Sequence, residues 1–319
     1  MKVGIIGGAG YTAGELIRLL INHPEAEIAF VQSSSNAGNP VAQVHEGLYG
    51  DTDLTFSAEA PLEEADVLFL CAGHGFSRNF WAEHTLPERL KVIDLAQDYR
   101  DESDGYVYGL PELNRERIKG ARLIANPGCF ATAIQLALLP LAAAHALNSD
   151  AHITAVTGST GAGVKPAATT HFSWRTDNLS VYKAFEHQHL AEIRQSLTQL
   201  QPGLSAEINF VPVRGDFARG ILAMAYIDTP ITEDEAKQLY TDYYREAAFT
   251  HVIDRPVDLK QAVNTNKAIL SIEKHGSKLL IVSAIDNLLK GASGQAVQNM
   301  NLIFGIDETA GLRLKPSAF

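Results

Sequence analysis

The sequence predicts an α/β protein that opens with a doubly wound parallel sheet and continues into an α+β domain with a largely antiparallel sheet. Three observations support this prediction. Strand-like apolar runs alternate with helical stretches in the first half, a glycine-rich turn joins the first run to a helix, and after about residue 148 several strand candidates follow one another closely. At 319 residues, of which 46% are hydrophobic and 20% charged, the chain is long enough for two domains.

The first half reads as repeated β-α-β units. The opening "KVGIIG" is a strand candidate, and the helix from about Thr12 places Leu16, Leu19 and Leu20 on one face. Four further runs have the same apolar character: "EIAFVQ", "DVLFLC", "KVIDLA" and "RLIAN". Strands separated by helices or loops in this rhythm indicate parallel pairing, and we assign residues 1–148 to the first domain.

The second half has a different rhythm. Its strand candidates are "HITAVTG", "EINFVPV", "GILAMAYID", "AILSIEKH" and "KLLIVSAID". Helices are predicted over 190–200 and 233–248, and Thr232 opens the second of them with the spacing of a capping box. We assign 149–290 to a catalytic, substrate-binding and oligomerisation domain, and expect a C-terminal helix within 291–319 to pack back on the first domain.

The turn in "GIIGGAGYTAGEL" follows the first strand and opens a helix. Glycines there let the backbone turn tightly and approach a pyrophosphate, whose charge meets the helix N-terminus. This context predicts a Rossmann-type dinucleotide site; the alternative is a tight strand-helix turn and nothing more. The residues expected to contact the cofactor here are Gly7, Gly10, Tyr11, Thr12 and Ala13.

The end of the second strand predicts which dinucleotide binds. A site that prefers NAD usually places a carboxylate there to hold the ribose 2′-hydroxyl, whereas "VQSSSNAG" offers hydroxyls and an amide. NADP(H) is therefore favoured over NAD, although no arginine is adjacent, and the alternative is an ordinary polar loop. The expected contacts are Ser33, Ser35 and Asn36.

Cys129 stands at the start of an apolar helix in "ANPGCFATAIQLALLPLAAA". Backbone N–H groups at a helix N-terminus stabilise an anion, so a thiol there has its pKa lowered toward the reactive range, and cysteine is a strong nucleophile at neutral pH. We interpret Cys129 as a catalytic nucleophile, the alternative being a small core residue. Cys71, which ends the strand "DVLFLC", is interpreted as core.

Two histidines in "YKAFEHQHLAEI" are the candidate partners of the thiol. His187 and His189 alternate just before a helix, with Lys183 close by, in a polar segment typical of a site. The sequence indicates no third ligand that could hold a metal together with the two histidines, so no metal is expected.

Several polar segments can hold an anion. "TGSTGAGVKPA" offers donors for an oxyanion or a phosphate. Arg100 follows a strand, where ligands of open α/β sheets gather, and "VRGDFARGIL" carries Arg214 and Arg219. Each cation alone is an ordinary surface charge, but together they are this acidic chain's means of holding an anionic small molecule. The residues expected to bind substrate are Arg100, Asn126, Ser159, Thr160, Arg219 and Lys290.

Composition argues against other classes of protein. A net charge of −11 without a Lys/Arg run disfavours nucleic-acid binding. The absence of a long apolar run or a signal-peptide pattern predicts no membrane partner and a cytoplasmic location. Two cysteines cannot build a disulfide framework.

The ordered motifs "GGAGYTAGEL", "DLAQDYR", "YGLPEL", "NPGCFATA", "GSTGAG", "HQHLAEI", "ARGIL" and "AIDNLLKGASGQAVQNMNL" span the chain. They resemble the N-acetyl-γ-glutamyl-phosphate reductases, the arginine-biosynthetic branch of the group that includes aspartate-semialdehyde dehydrogenase. The resemblance implies that Cys129 attacks an acyl phosphate, that inorganic phosphate leaves, and that NADPH reduces the resulting thioester to a semialdehyde. It implies that His187 is the acid/base histidine, with His189 beside the substrate and Asn287 near the nicotinamide. It also suggests a homodimer or homotetramer.

The chain departs from that family at two positions. The family commonly has an arginine between the two histidines and a proline before the Glu-Ile, where this chain has Gln188 and Ala191. The missing charge bears on recognition of the acyl group, so acetyl and bulkier acyl groups such as succinyl both stay open. Two alternatives remain: a reductase for a related acyl phosphate, of aspartyl or aminoadipyl type, and a noncatalytic NADP-binding regulatory protein.

Overall fold

The computed structural model describes residues 1–317, which divide into two compact units. The first unit comprises Met1–Pro127 and Ala292–Arg313, and the second comprises Gly128–Gly291 and the residues from Leu314 on. Among residues 1–317, no helix has the length and apolar character needed to cross a membrane.

The first unit is built on a seven-stranded sheet in which every strand pair is parallel. Its strands are β1 (Lys2–Ile6), β2 (Glu27–Gln32), β3 (Phe56–Ser57), β4 (Val67–Leu70), β5 (Lys91–Asp94), β6 (Val107–Tyr108) and β7 (Leu123–Ala125), in the order β3-β2-β1-β4-β5-β7-β6. Its helices are α1 (Tyr11–Leu20), α2 (Phe76–Glu83), α3 (Pro111–Lys119) and α8 (Gly294–Ile303). The strand order reverses between β1 and β4, and in open α/β sheets ligands bind outside the carboxyl ends of the strands at such a point.

The second unit is built on a mixed sheet of seven strands. They are β8 (Ala151–Thr157), β9 (Ser180–Val181), β10 (Ile208–Arg214), β11 (Ile221–Asp228), β12 (Thr250–Val252), β13 (Ala268–His275) and β14 (Lys278–Ile285), in the order β12-β13-β14-β11-β8-β10-β9. Four of the six neighbouring pairs are antiparallel; β8 with β10 and β12 with β13 are parallel. Its helices are α4 (Cys129–Ala143), α5 (Phe172–Arg175), α6 (His189–Leu200) and α7 (Glu233–Tyr243). The two sheets confirm the predicted fold class.

Helix α4 is buried along almost its whole length, because its sequence is apolar on every face. It packs on β11 and β14 and against α6 and α7. Pro140 lies inside the helix and lacks an N–H, so the carbonyl of Leu136 has no helical donor. The hydroxyl of Tyr244, at the end of α7, donates to that carbonyl at 2.6 Å and satisfies it.

The packing of α4 places the boundary between the compact units before Cys129, whereas the sequence prediction placed it at residue 148 and so grouped α4 with the first sheet. A helix without a polar face needs apolar partners on all sides, and the sheet and helices of the second unit supply them. In the C-terminal region, α8 packs against α1 and α3 of the first unit. The last two residues of the predicted 291–319 segment lie outside the described residues.

Candidate active site

The glycine turn of the first unit has the geometry that the sequence predicts. Gly7 has a φ of +79°, and a Cβ there would lie 2.7 Å from the backbone nitrogen of Ala72, so only glycine fits. Gly10 precedes α1, whose N-terminus has no side-chain cap and no acidic residue in the first turn. The N–H groups of this turn have no carbonyl partners inside the helix and are suited to a phosphate.

The end of β2 presents a small polar cluster. Ser33 is buried, and the amide of Asn36 donates to the hydroxyl oxygens of Ser33 and Ser35 at 3.2 and 3.1 Å. The two hydroxyls are 3.5 Å apart, so one can donate to the other while the remaining hydroxyl proton is available to a ligand. These groups and the uncapped helix fit a dinucleotide whose ribose carries a 2′-phosphate.

Arg100 and Asn126, two further predicted residues of the first unit, are held by hydrogen bonds within that unit. The Arg100 guanidinium is buried and donates from Nε to the carbonyl of Asn126 at 2.9 Å and from Nη2 to that of Leu95 at 3.1 Å. The Asn126 side chain donates to the carbonyl of Ala292 and accepts from Asn299. Arg100 and Asn126 therefore fix the segment just before Pro127, and their predicted contacts with substrate stay predictions.

In the second unit, Cys129 is the first residue of α4, as the sequence predicts. Cys129 lies close to Gly291, a glycine 162 positions later in the chain. A Cβ placed on Gly291 would lie 2.8 Å from the Cβ of Cys129 and 3.2 Å from its Cα. Gly291 therefore makes room for Cys129 at the start of α4, and nothing in the local sequence of Cys129 signals this.

His187 and His189 lie beside Phe130, the residue that follows Cys129. The ring centroid of Phe130 is 5.4 Å from that of His187 and 6.3 Å from that of His189, and the two imidazoles are 4.5 Å apart. His187 Nδ1 accepts from the backbone N–H of His189 at 3.2 Å, so a neutral ring carries its proton on Nε2. Burial, and then the charges of Lys183 and Arg214, lower the pKa of His187 to about 4.

A carboxylate that the sequence prediction missed joins these elements. Glu192 is buried in the first turn of α6, and its Oε2 accepts from the backbone N–H of Gly128 at 3.0 Å. Its Oε1 lies 3.9 Å from His189 Nε2. The helix with the histidine pair at its start is thus hydrogen-bonded to the residue before Cys129.

The loop after β8 is held by the segment at 217–218. The backbone N–H groups of Ser159 and Thr160 donate to the carbonyls of Phe217 and Ala218 at 2.8 and 3.1 Å. These two amides are therefore used within the unit, in contrast to their predicted role as ligand donors. The Ser159 hydroxyl and the later amides of the loop remain as candidate donors.

A buried carboxylate organises the remaining predicted residues. Asp286 is fully buried and accepts from Nε and Nη2 of Arg219, both at 3.1 Å. Asn287 accepts from the N–H of Gly220 at 2.7 Å and donates to the hydroxyl of Thr160 at 3.0 Å. Lys290 is also fully buried. The structure thus places Arg219 beside Asp286 and Thr160 beside Asn287. The predicted contacts of Arg219, Asn287 and Thr160 with a ligand stay predictions.

Of the two cysteines, Cys71 has the environment of an unreactive thiol. Although part of the residue is accessible, burial of the thiol and the charge of Asp94 raise its pKa well above the ordinary value. Among residues 1–317, no three histidine, cysteine or acidic side chains come together as metal ligands.

Two family models match most of the chain. The model described as "Semialdehyde dehydrogenase, NAD binding domain" matches residues 2–121, and the one described as "Semialdehyde dehydrogenase, dimerisation domain" matches residues 129–287. The gap between the matches, at 122–128, contains the boundary between the two compact units.

Curated relatives match the chain over its full length. The chain is 63% identical to the N-acetyl-γ-glutamyl-phosphate reductase of Parabacteroides distasonis, 62% to that of Bacteroides fragilis and 53% to that of Flavobacterium johnsoniae; each alignment covers 100% of both chains.

Solved structures with the same fold are more distant in sequence. The Candida albicans aspartate semialdehyde dehydrogenase with NADP superposes with a TM-score of 0.74 at 19% identity, covering 95% of this chain and 98% of that one. The Vibrio cholerae aspartate semialdehyde dehydrogenase II gives 0.73 at 18% identity with the same coverage. At these identities the similarity concerns the fold.

Proposed function

The chain belongs to the N-acetyl-γ-glutamyl-phosphate reductase family, and on that premise we propose that it reduces an N-acyl-γ-glutamyl phosphate to the N-acyl-glutamate 5-semialdehyde with NADPH, a step of arginine biosynthesis. The observation that carries the proposal is the position of Cys129 at the first residue of α4, beside the paired histidines, in a chain 62% identical to such a reductase over its whole length.

Cys129 is the nucleophile of the proposed reaction. Its sulfur attacks the carbonyl carbon of the acyl phosphate, the bond from that carbon to the phosphate oxygen breaks, and inorganic phosphate leaves. The product of this step is a thioester on Cys129. The N-terminal end of α4 favours the thiolate that attacks, because the partial positive charge of a helix N-terminus stabilises a nearby anion.

His187 acts on the oxygen of the reacting carbonyl. Its low pKa keeps the ring neutral at pH 7, and its Nδ1 already accepts from the N–H of His189, so Nε2–H is the available donor. A neutral imidazole that donates in this way stabilises the oxyanion of the tetrahedral intermediate. Negative charge that develops beside the ring raises the pKa of His187 and makes it a better proton carrier at that moment.

The first unit holds the cofactor. A bound NADPH supplies the hydride that reduces the thioester. The uncapped N-terminus of α1 and the glycines before it hold the pyrophosphate, and Ser33, Ser35 and Asn36 hold the ribose phosphate. The side chain of Ser293 donates to the carbonyl of Thr12 at 2.8 Å and fixes the start of α1.

The alternatives that the sequence left open are less well supported. The named aspartate enzymes are only 18–19% identical to this chain, whereas the relatives at 62–63% are N-acetyl-γ-glutamyl-phosphate reductases. A purely regulatory NADP-binding protein has no need of a cysteine at a helix start beside two packed imidazoles. We further propose that the enzyme is a cytoplasmic homo-oligomer, which the dimerisation-domain match supports.

The test is the phosphate-dependent reduction of NADP with N-acetyl-glutamate 5-semialdehyde as substrate. We expect Cys129→Ser to lower kcat by a factor of about 1,000 or more while NADPH binding, followed by fluorescence titration, stays at the wild-type level. Stoichiometric alkylation of the wild type and none of the variant identifies the reactive thiol. A Cys129→Ser enzyme with the wild-type rate contradicts the proposal, and a wild type active only on aspartyl or aminoadipyl compounds redirects it.

A further inference from the structure

Arg214 is a cation beside the histidine pair. It ends β10, and its guanidinium carbon lies 4.7 Å from the ring centroid of Tyr182, whose hydroxyl it also hydrogen-bonds. Within residues 1–317, no carboxylate pairs with Arg214, and its buried Nε has no hydrogen-bond partner. A buried N–H without an acceptor is costly, which indicates that a ligand supplies the acceptor.

The position of Arg214 on the sheet brings it to the reacting centre. Successive side chains of a strand alternate between its faces, so Arg214 shares a face of β10 with Phe210. The Phe210 ring is 5.5 Å from His187 and 5.1 Å from Phe130, the neighbour of Cys129. The Tyr182 ring is 5.9 Å from His187. Arg214 also pairs in register with the residue that ends β8, immediately before the loop at 158–162.

The other two arginines of the region are already engaged. Asp286 neutralises Arg219 through two hydrogen bonds at 3.1 Å. Arg175 is buried and donates to the carbonyls of Asn178 and Arg214 and to the hydroxyl of Ser180, which fixes the loop beside β10. Of the three arginines, Arg214 should attract an anionic ligand most strongly, because a guanidinium without a counter-ion attracts a carboxylate more strongly than one that is paired.

We propose that Arg214, together with the Tyr182 hydroxyl, binds a carboxylate of the N-acylglutamyl substrate and so orients its reacting carbonyl toward Cys129. This inference rests on the proposed function. It assigns the carboxylate to Arg214 rather than to Arg219, which is among the substrate-binding residues predicted from the sequence. Arg214 also supplies a positive charge on β10 in a chain that has Gln188 where the family commonly has arginine. The amide oxygen of Gln188 accepts from Lys183 at 3.2 Å. The carboxylate is either the α-carboxylate of the glutamyl moiety or one in the N-acyl group.

The experiment combines protein variants with altered substrates in the phosphate-dependent NADP assay. The proteins are the wild type, Arg214→Met, Arg214→Lys and the control Arg194→Met, an exposed arginine of the same unit that pairs with Glu207. The substrates are N-acetyl-glutamate 5-semialdehyde and its α-carboxamide, and N-succinyl-glutamate 5-semialdehyde and the amide of its succinyl carboxyl group. Each amide removes one negative charge with little change in size.

We expect Arg214→Met to raise KM for the semialdehyde about 10- to 100-fold, the effect of losing a charge-assisted hydrogen bond, and to leave KM for phosphate and NADP unchanged. Arg214→Lys should recover part of this loss. In the wild type, one of the two amides should lower kcat/KM by the same factor as the Arg214→Met substitution does. In Arg214→Met, that amide should lower kcat/KM no further, and this non-additivity is the decisive result. The amide that behaves in this way identifies which carboxylate is bound.

A second readout separates binding from a structural role. Removing the positive charge of Arg214 should raise the pKa of His187, so the acid limb of the kcat/KM profile moves to higher pH in Arg214→Met and not in Arg194→Met. Equal losses for charged and amide substrates in Arg214→Met overturn the inference. If Arg214→Met does not fold, the same comparison on Arg214→Gln, which also removes the charge, decides in the same way. A wild type inactive on every N-acylglutamate semialdehyde refutes the proposed function instead, and is recognised before any variant is compared.

Discussion

At the scale of single residues, the contact between Gly291 and Cys129 fixes where the nucleophile lies. Any side chain on Gly291 meets the Cβ and Cα of Cys129 and the carbonyl of Asp286, none of which is the far end of a flexible side chain. The neighbouring atoms therefore have to shift when a Cβ is added. Cys129 begins a helix that is packed on all sides, so the helix as a whole resists movement. The shift therefore falls on the Cys129 side chain, which carries the sulfur proposed to react.

We therefore expect Gly291→Ala to lower kcat strongly and to lower the free energy of unfolding by about 1–3 kcal/mol, the usual effect of overpacking. NADPH affinity should not change, since the glycine turn lies in the other unit. Gly47→Ala is the matched control, because a Cβ at Gly47 meets no atom within 4 Å. Steady-state kinetics and urea unfolding measure both effects, and a Gly291→Ala enzyme with the kcat of the Gly47→Ala control contradicts this account of the nucleophile's position.

His187 makes the stability of the protein depend on pH. Its pKa is lowered from the ordinary 6.5 to about 4, so the unfolded chain binds a proton at a pH where the folded protein does not. The contribution of His187 is fully present above about pH 6.5 and is lost as pH falls through about 4. Asp94 acts in the opposite direction over part of this range, because burial raises its pKa to about 6.

The comparison of His187→Gln with the wild type isolates this contribution. Between pH 7 and pH 4 we expect the variant to lose less stability than the wild type, by at most about 3 kcal/mol, since one pKa unit corresponds to about 1.4 kcal/mol. Urea unfolding at closely spaced pH values measures it. Parallel curves for the two proteins would show that His187 does not have a lowered pKa in the folded state.

At the scale of elements, the starts of two helices are joined by one side chain. Glu192 in the first turn of α6 accepts from the N–H of Gly128, the residue before α4. His187 and His189 stand at the start of α6 and Cys129 at the start of α4, so this hydrogen bond joins the two segments that carry them. We expect Glu192 to be a positioning residue for Cys129.

We expect Glu192→Ala to lower both kcat and the free energy of unfolding, the latter by about 1–3 kcal/mol, because the buried N–H of Gly128 loses its acceptor. Glu192→Gln keeps an acceptor and should recover most of the stability. Both variants remove a negative charge near Cys129, so the pH at which half of the thiol is alkylated should move downward. Glu207→Ala, an exposed acid of the same unit, is the control; an alkylation profile identical to that control would contradict the positioning role.

At the scale of the whole molecule, an apolar surface of the second unit is a candidate oligomer interface. Between β8 and α6 the chain exposes a run of large apolar side chains, comprising Val164, Phe172, Trp174, Leu179, Val181 and Phe185. Soluble proteins seldom expose so many large apolar side chains within one short stretch of chain without a partner. The same stretch falls inside the match to a dimerisation domain at 129–287, so a second copy of the chain is the occupant that we expect.

Replacing Phe172 and Leu179 with serine should raise the dimer dissociation constant about 10-fold or more, as measured by sedimentation velocity over a dilution series. Tyr49→Ser is the matched control, since Tyr49 is 66% exposed, as is Leu179, but lies in the first unit. A wild type that sediments as a monomer at all concentrations, or a doubly substituted chain that dimerises as tightly as the control, excludes this surface as the interface.

Much of the local architecture could be predicted because it is encoded by neighbouring residues. Ten strands were evident from their apolar runs, the capping box of α7 was evident at Thr232 and Glu235, and the helix start at Cys129 was evident from its glycine and proline. The four strands that escaped prediction are β3, β6, β9 and β12, of two or three residues each. Such short strands have no detectable periodicity, and they exist because a neighbouring strand supplies their partners.

The sequence by itself thus determined the fold class, the glycine turn and the helix start at Cys129, since these depend on patterns within a few residues. The tertiary structure alone decided which cation is left without a counter-ion, which carboxylate joins two helix starts and which glycine makes room for the sulfur. Arg214 and Arg219 are indistinguishable along the chain, and only the folded structure pairs one of them with Asp286, 67 positions away. Such pairings depend on packing between distant segments, where a difference of a few ångströms changes the partner, and no local pattern records it.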